Sequence, residues 1–113
     1  MEEIKKTLRE FAKQRDWDQF HSPKNLAMAL SVETSELVEH FQWLTQKESQ
    51  NLNAETLEQV KQEIGDVLVY LVRLSDKLGI DPVEAAKEKM KINDAKYPKE
   101  SVKGSAKKYF EYE

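Results

Sequence analysis

Four carboxylates stand in two helical pairs: Glu33-x-x-Glu36 in one amphipathic stretch and Glu63-x-x-Asp66 in the next, with 26 residues between them. Residues three apart on a helix lie on one face about one turn apart, so each pair can turn two oxygen ligands toward a single point. Leu26, Leu30, Leu37, Phe41 and Leu44 fall within roughly 60° of one line at about 100° per residue, and Glu33 falls inside that apolar stripe. A carboxylate facing a core needs a partner, because an isolated buried charge neutralises or destabilises the fold. Lys24 is the only Lys or Arg between Pro23 and Gln46, which makes a local ion pair a poor remedy. A divalent cation is the simplest one.

The chain has no cysteine and only two histidines, His21 and His40, so the ligand set is nearly all oxygen. That donor chemistry points to Mg²⁺ or Mn²⁺ rather than zinc, on Glu33, Glu36, Glu63 and Asp66. A metal-held triphosphate needs no protein nucleophile; a spare carboxylate, Glu36 or Glu39, can accept the proton of an attacking water. The competing reading is a non-catalytic helical interaction module whose glutamates form a solvated face. Two pairs on facing helices, one intruding on an apolar stripe, weigh toward the metal.

Charge is divided along the chain. Residues 33–66 hold eight acids against Lys47 and Lys61, whereas residues 87–108 hold eight lysines against Glu88, Asp94 and Glu100. An acidic centre that holds cations, followed by a basic stretch that holds phosphates, describes a site for a metal-bound polyphosphate. Trp17 and Trp43 flank the second helix and can supply flat surfaces for stacking a base, or else pack in a core. Asn93, Lys96 and Tyr97 make a further polar cluster, with Tyr70 on the same side of its helix as Glu63 and Asp66. These can meet phosphate oxygens or a sugar hydroxyl. No Gly-rich phosphate loop is present, and neither carboxylate pair becomes the Glu-x-x-His of di-iron bundles.

The positioning elements follow from periodicity and caps. Ile4, Leu8 and Phe11 predict a helix over residues 2 to about 15. Ser22-Pro23 predicts the start of a second, running to about Thr45, with a polar loop over 46–53. Asn53 caps a third that Gly79 ends, and Asp81-Pro82-x-Glu84 opens a fourth that stops at Tyr97-Pro98. The apolar run Val67 to Val72 must be buried on two sides, one of them a subunit interface. Gly65 costs a helix roughly 1 kcal/mol relative to alanine, which implies a close approach to the backbone there. The residues after Pro98 read as an irregular arm.

At 113 residues, 35% charged and with three Gly and three Pro, one all-α domain spanning 1–113 is expected, its arm being 97–113. No disulfide framework, signal peptide or membrane span is legible, so a soluble cytoplasmic protein without nucleic-acid or membrane partners is expected.

These residues resemble the MazG-type all-α nucleoside triphosphate pyrophosphohydrolases, whose mark is Glu-x-x-Glu followed after a variable spacer by Glu-x-x-Asp. The similarity is closest to the dCTP pyrophosphatase subgroup, through Asp16-Trp17-Asp18-Gln19-Phe20-His21-Ser22-Pro23-Lys24-Asn25-Leu26, Phe41-Gln42-Trp43, Asp66-Val67-Leu68-Val69-Tyr70-Leu71, Lys96-Tyr97-Pro98 and Gly104-Ser105-Ala106-Lys107-Lys108-Tyr109. The resemblance implies hydrolysis between the α and β phosphates to a monophosphate and pyrophosphate, with Mg²⁺ on the four carboxylates. It also implies a four-helix bundle assembled as a dimer or a dimer of dimers, a homodimer or homotetramer. By carry-over, Trp17, His21, Trp43 and Tyr70 touch the nucleoside. Glu36-x-x-Glu39 fits the same motif, so five carboxylates compete for four places, and Leu8 stands where some relatives have a polar residue. The runner-up enzyme acts on phosphoribosyl-ATP, for which two base-stacking tryptophans are less expected.

Overall fold

Three polar side chains open the three longest helices after the first, each by accepting the backbone N–H groups that a helix start leaves unpaired. Ser22 Oγ accepts from Asn25 N (3.1 Å), Asn53 Oδ1 from Thr56 N (2.8 Å), and Asp81 Oδ1 from Val83 N (2.9 Å) and Glu84 N (3.2 Å). In this computed structural model, which describes residues 1–102 and 104, the helices are α1 (Glu2–Gln14), α2 (Pro23–Glu39), α3 (Gln46–Ser49), α4 (Ala54–Lys77), α5 (Pro82–Lys96) and α6 (Lys99–Val102). A single 3₁₀ turn, Asp18–Phe20, joins α1 to α2. Every regular element among the described residues is helical, as expected. None of these helices is long and apolar enough to cross a membrane.

The chain divides into two compact units, Met1–Ile80 and Asp81–Glu113. In the first, α4 is the spine: α2 packs along it, and α1 against it as well. Leu26 of α2, Ala12 of α1, and Val60 and Val72 of α4 are buried, Leu26 being the largest side chain fully enclosed. Its burial contributes about 2 kcal/mol. In the second unit α5 carries Asn93 and Lys96 on its final turns, and most of its surface, Met90 included, is exposed.

Gly79 ends the spine as expected. At φ +68° it occupies the left-handed region that glycine enters without a side-chain clash, and Ile80 N reaches back to Ser75 O at 2.9 Å. Val67 to Val72 is helical throughout, with Val72 buried, Val67 and Val69 half-buried, and Leu68 and Leu71 exposed.

Four expectations need correction. The second helix stops at Glu39 rather than near Thr45, and the polar stretch 46–53 contains α3. Both follow from Thr45, whose Oγ1 accepts from Glu48 N (3.1 Å) while Glu48 Oε1 accepts from Thr45 N (2.9 Å). This capping box holds Thr45 at ψ 165°, so the preceding helix must break before it. At Gly65 a Cβ would meet nothing within 4 Å, so among the described residues nothing approaches that backbone. After Pro98 the chain turns helical over Lys99–Val102; the rest of the expected arm, Lys103 and 105–113, lies outside the described residues.

Candidate metal centre and adjoining cleft

Packing α2 on α4 brings Glu33, Glu36 and Glu63 together, with one oxygen from each lying within 4.8 Å of the others. All three are half-buried. Glu36 is near enough to both Glu33 and Glu63 to act on each through charge and hydrogen bonding, and carboxyl groups this close resist ionising together. Burial, then the Glu36 hydrogen bond and charge, then Asp66 and Glu63, push Glu33 from 4.5 up to about 7. Glu63 is raised by burial and by the hydrogen bond and charge of Glu36, with His40 pulling the other way from 3.8 Å.

One oxygen of Glu33 and one of Glu63 are buried without a hydrogen-bond partner. Buried acceptors crowded among like charges are what a hard divalent cation satisfies, since it takes several oxygens and removes the repulsion at once. The residues present therefore suit such an ion. Asp66 stands at the rim of this group: it is exposed and outside the tight trio, yet its charge acts on both Glu33 and Glu63. Glu39, at the last position of α2, is exposed and also outside the trio.

Asp66 also lines a cleft of about 290 Å³ together with Leu8, Trp17, His21, Tyr70 and Arg73. That volume is at the low end for small-molecule pockets. Trp17 is 44% exposed, its ring meeting Phe11 edge-on at 5.7 Å and His21 at 6.3 Å. Thus Trp17, His21, Tyr70 and Asp66 are brought to one place. Trp43 is not: it lies beyond the end of α2, 87% exposed and apart from this lining. Asn93 and Lys96 belong to the second unit.

Arg73 and the charges around it escaped the sequence reading of the site. Arg73 is 4% exposed and donates from Nη2 to Asp18 Oδ1 at 2.6 Å. Asp18 also takes Lys77 Nζ at 3.0 Å, and these two cations hold its carboxyl below the usual range. Arg9 clamps Asp76 from Nε (2.7 Å) and Nη2 (2.5 Å), so α1, the 3₁₀ turn and α4 are tied by charge where few apolar groups meet. The signal was in the phase: Glu63, Asp66, Tyr70, Arg73 and Lys77 recur at alternating steps of three and four along one helix face. His40 likewise stands seven after Glu33 and four after Glu36.

The carboxylate trio gives a pH dependence of known sign. A raised carboxyl pKa means that the folded chain keeps a proton which the unfolded chain releases, so metal-free stability is full below about 4.5 and falls as pH rises through about 7. Urea melts in EDTA across that window should show this fall. In Glu33→Gln the slope should flatten, and the variant should exceed the parent in stability at pH 8. A steeper slope in the variant would contradict the trio's repulsion.

The MazG-like family model matches residues 28–111. The chain is 41% identical to dCTP pyrophosphatase 1 of Homo sapiens over 98% of its length, and 40% identical to that of Bos taurus over 96%; it spans 66% of each of these relatives. A crystal structure of a pyrophosphatase from Archaeoglobus fulgidus is similar at a TM-score of 0.76 and 46% identity, covering 87% of this chain and 92% of that one. With its carboxylate pairs on facing helices and its sequence matched over most of its length, the chain belongs to the MazG-like family.

Proposed function

We propose that this chain is a cytoplasmic Mg²⁺-dependent nucleoside triphosphate pyrophosphohydrolase, one domain over 1–113, that cleaves dCTP or a related or modified deoxynucleotide to the monophosphate and pyrophosphate. The observation that carries the reading is the pair of buried, unpartnered oxygens on Glu33 and Glu63, set near a cleft lined by Asp66, Trp17 and Tyr70. The relatives called dCTP pyrophosphatase and the pyrophosphatase of similar fold support it.

Mg²⁺ supplies charge neutralisation for the triphosphate and activation of water. Glu33, Glu36, Glu63 and Asp66 hold it. With the ion held there, Glu36 would stand beside the attacking water as the acceptor of its proton, with Glu39 as the alternative acceptor. The cleft orients the nucleoside, with Trp17 and Tyr70 against the base and His21 beside them. Trp43 offers a second exposed aromatic surface.

Self-association as a homodimer or homotetramer belongs to this reading. Leu57, Ile64 and Leu71 on α4 and Leu78 at its C-cap, seven residues apart, are all exposed, and Leu68 joins them. A stripe with that period is a seam for a second helix. Leu71→Glu should convert the assembly to monomers in sedimentation velocity; a parent chain that already sediments as a monomer at micromolar concentration would end the proposal.

A screen of nucleoside triphosphates with Mg²⁺, identifying the released product, tests the activity. Glu33→Gln and Glu63→Gln should each abolish hydrolysis while leaving helical content unchanged; parental turnover in either removes that residue from the metal site. Trp17→Ala should raise KM for dCTP about 5- to 150-fold, the equivalent of about 1 to 3 kcal/mol of stacking. Destabilisation with KM unaltered would make Trp17 a packing residue only.

A further inference from the structure

Arg73 is buried at a cost that its ion pairs alone do not explain. Of its two carboxylate partners, Asp18 is half-exposed and shared with Lys77, and Asp76 lies 4.0 Å from Nη1 and is already clamped by Arg9; the Nε of Arg73 is buried without a hydrogen-bond partner. What the burial achieves is geometric. Nη2 carries two N–H groups, one directed to Asp18 Oδ1 at 2.6 Å and the other within reach of His21 Nδ1 at 3.3 Å. A guanidinium only donates, so Nδ1 must present its lone pair. An imidazole that accepts at Nδ1 and stays neutral carries its proton on Nε2. Burial and the Arg73 charge both lower the affinity of His21 for a second proton, against the pull of Asp18 and with a further push from Lys77.

We infer that Arg73 is a positioning residue that fixes His21 as a neutral Nε2–H donor, so that the wall of the Trp17 cleft reads a hydrogen-bond acceptor on the nucleobase. This rests on the nucleotide reading above. Asp18 holds the guanidinium from the 3₁₀ turn that separates Trp17 from His21, so stacking surface and donor are set by one contact. A fixed donor discriminates where it meets ring N3: O2 accepts in both pyrimidines, but N3 accepts in cytosine and carries a proton in thymine. A site built to donate rejects a base that leaves the donor unpaired. Lysine in place of Arg73 would bring a point charge without the planar fork that serves Asp18 and His21 together.

The test begins without a variant. Long-range ¹H–¹⁵N spectra of the full chain labelled at histidine, without nucleotide at pH 7, should show His21 neutral with its proton on Nε2. A proton on Nδ1, or a charged ring, overturns the inference whatever the enzyme does. Arg73→Met should then let the Nδ1–H form appear, and should raise KM for dCTP about ten-fold, with kcat changed less. KM for the base-free deoxyribose triphosphate should stay as in the parent, and Arg73→Lys should recover only part of the loss. Equal losses on both substrates would make Arg73 structural and sink the base-reading role. Should Arg73→Met fail to fold, His21→Phe keeps a ring but removes the donor, and the same base-dependent KM shift is required of it. A parent chain that hydrolyses no nucleotide defeats the function proposed above, while the spectra still decide the tautomer.

Discussion

Everything in the first unit is arranged around the crowding of like charges between α2 and α4. Glu33, Glu36 and Glu63 lie within 4.8 Å of one another in the seam that also buries Leu26, Val60 and Val72. The apolar contacts hold the helices together; the carboxylates push them apart unless protons or a cation intervene. Burial and the neighbouring carboxylates push Glu33 up to about 7 and raise Glu63 as well. The packing that makes the fold therefore also makes the site, and its metal-free form is the less comfortable one. Such tension is expected where function, rather than stability, has set the residue types.

A second centre of charge does opposite work. The cluster of Arg9, Asp18, Arg73, Asp76 and Lys77 sets three cations on two carboxylates and is directional, with a bidentate Arg9–Asp76 pair whose acceptor is nearly buried. Exposed pairs contribute little, but a buried arginine left without its acceptors is costly. The network thus constrains where the turn carrying Trp17 and His21 can lie. Apolar packing would have been less specific here: Phe11, Trp17 and Phe20 are all partly exposed, and none is locked in a core.

The legible part of the sequence was the part governed by local rules. Ser22, Asn53, Asp81 and Gly79 mark helix ends by side-chain hydrogen bonds and a positive φ, which depend on neighbours in the chain and can be read from them. The carboxylate pairs were legible because their spacing matches the helical repeat. The end of α2 was not, since the apolar period runs on through Phe41 and Leu44 while the Thr45–Glu48 box interrupts the backbone beneath it. Arg73 was hidden for another reason. Its partners Asp18 and His21 lie 55 and 52 residues away, and only the packing of α4 against the turn reveals them. Glu39 continued the carboxylate pattern in sequence, yet sits exposed where α2 ends, outside the trio.

The core is small for the work it has to do. Among the described residues one leucine is fully enclosed, while Leu57, Ile64 and Leu71 on the spine helix, Leu78 at its C-cap, and Met28 and Val32 on α2 remain open to solvent. A chain of this length buries a modest share of its surface, and the carboxylate seam subtracts from what remains. On the function proposed here both deficits have a remedy outside the protomer: a cation cancels the repulsion in the seam, and a second copy covers the α4 stripe. The stripe and the carboxylate face lie on different sides of α4, so the two remedies do not compete for surface. They share one helix instead. Whatever fixes the axis of α4 against a neighbour also narrows the positions that Glu63, Asp66, Tyr70 and Arg73 can take, and so orders the cation site and the cleft together.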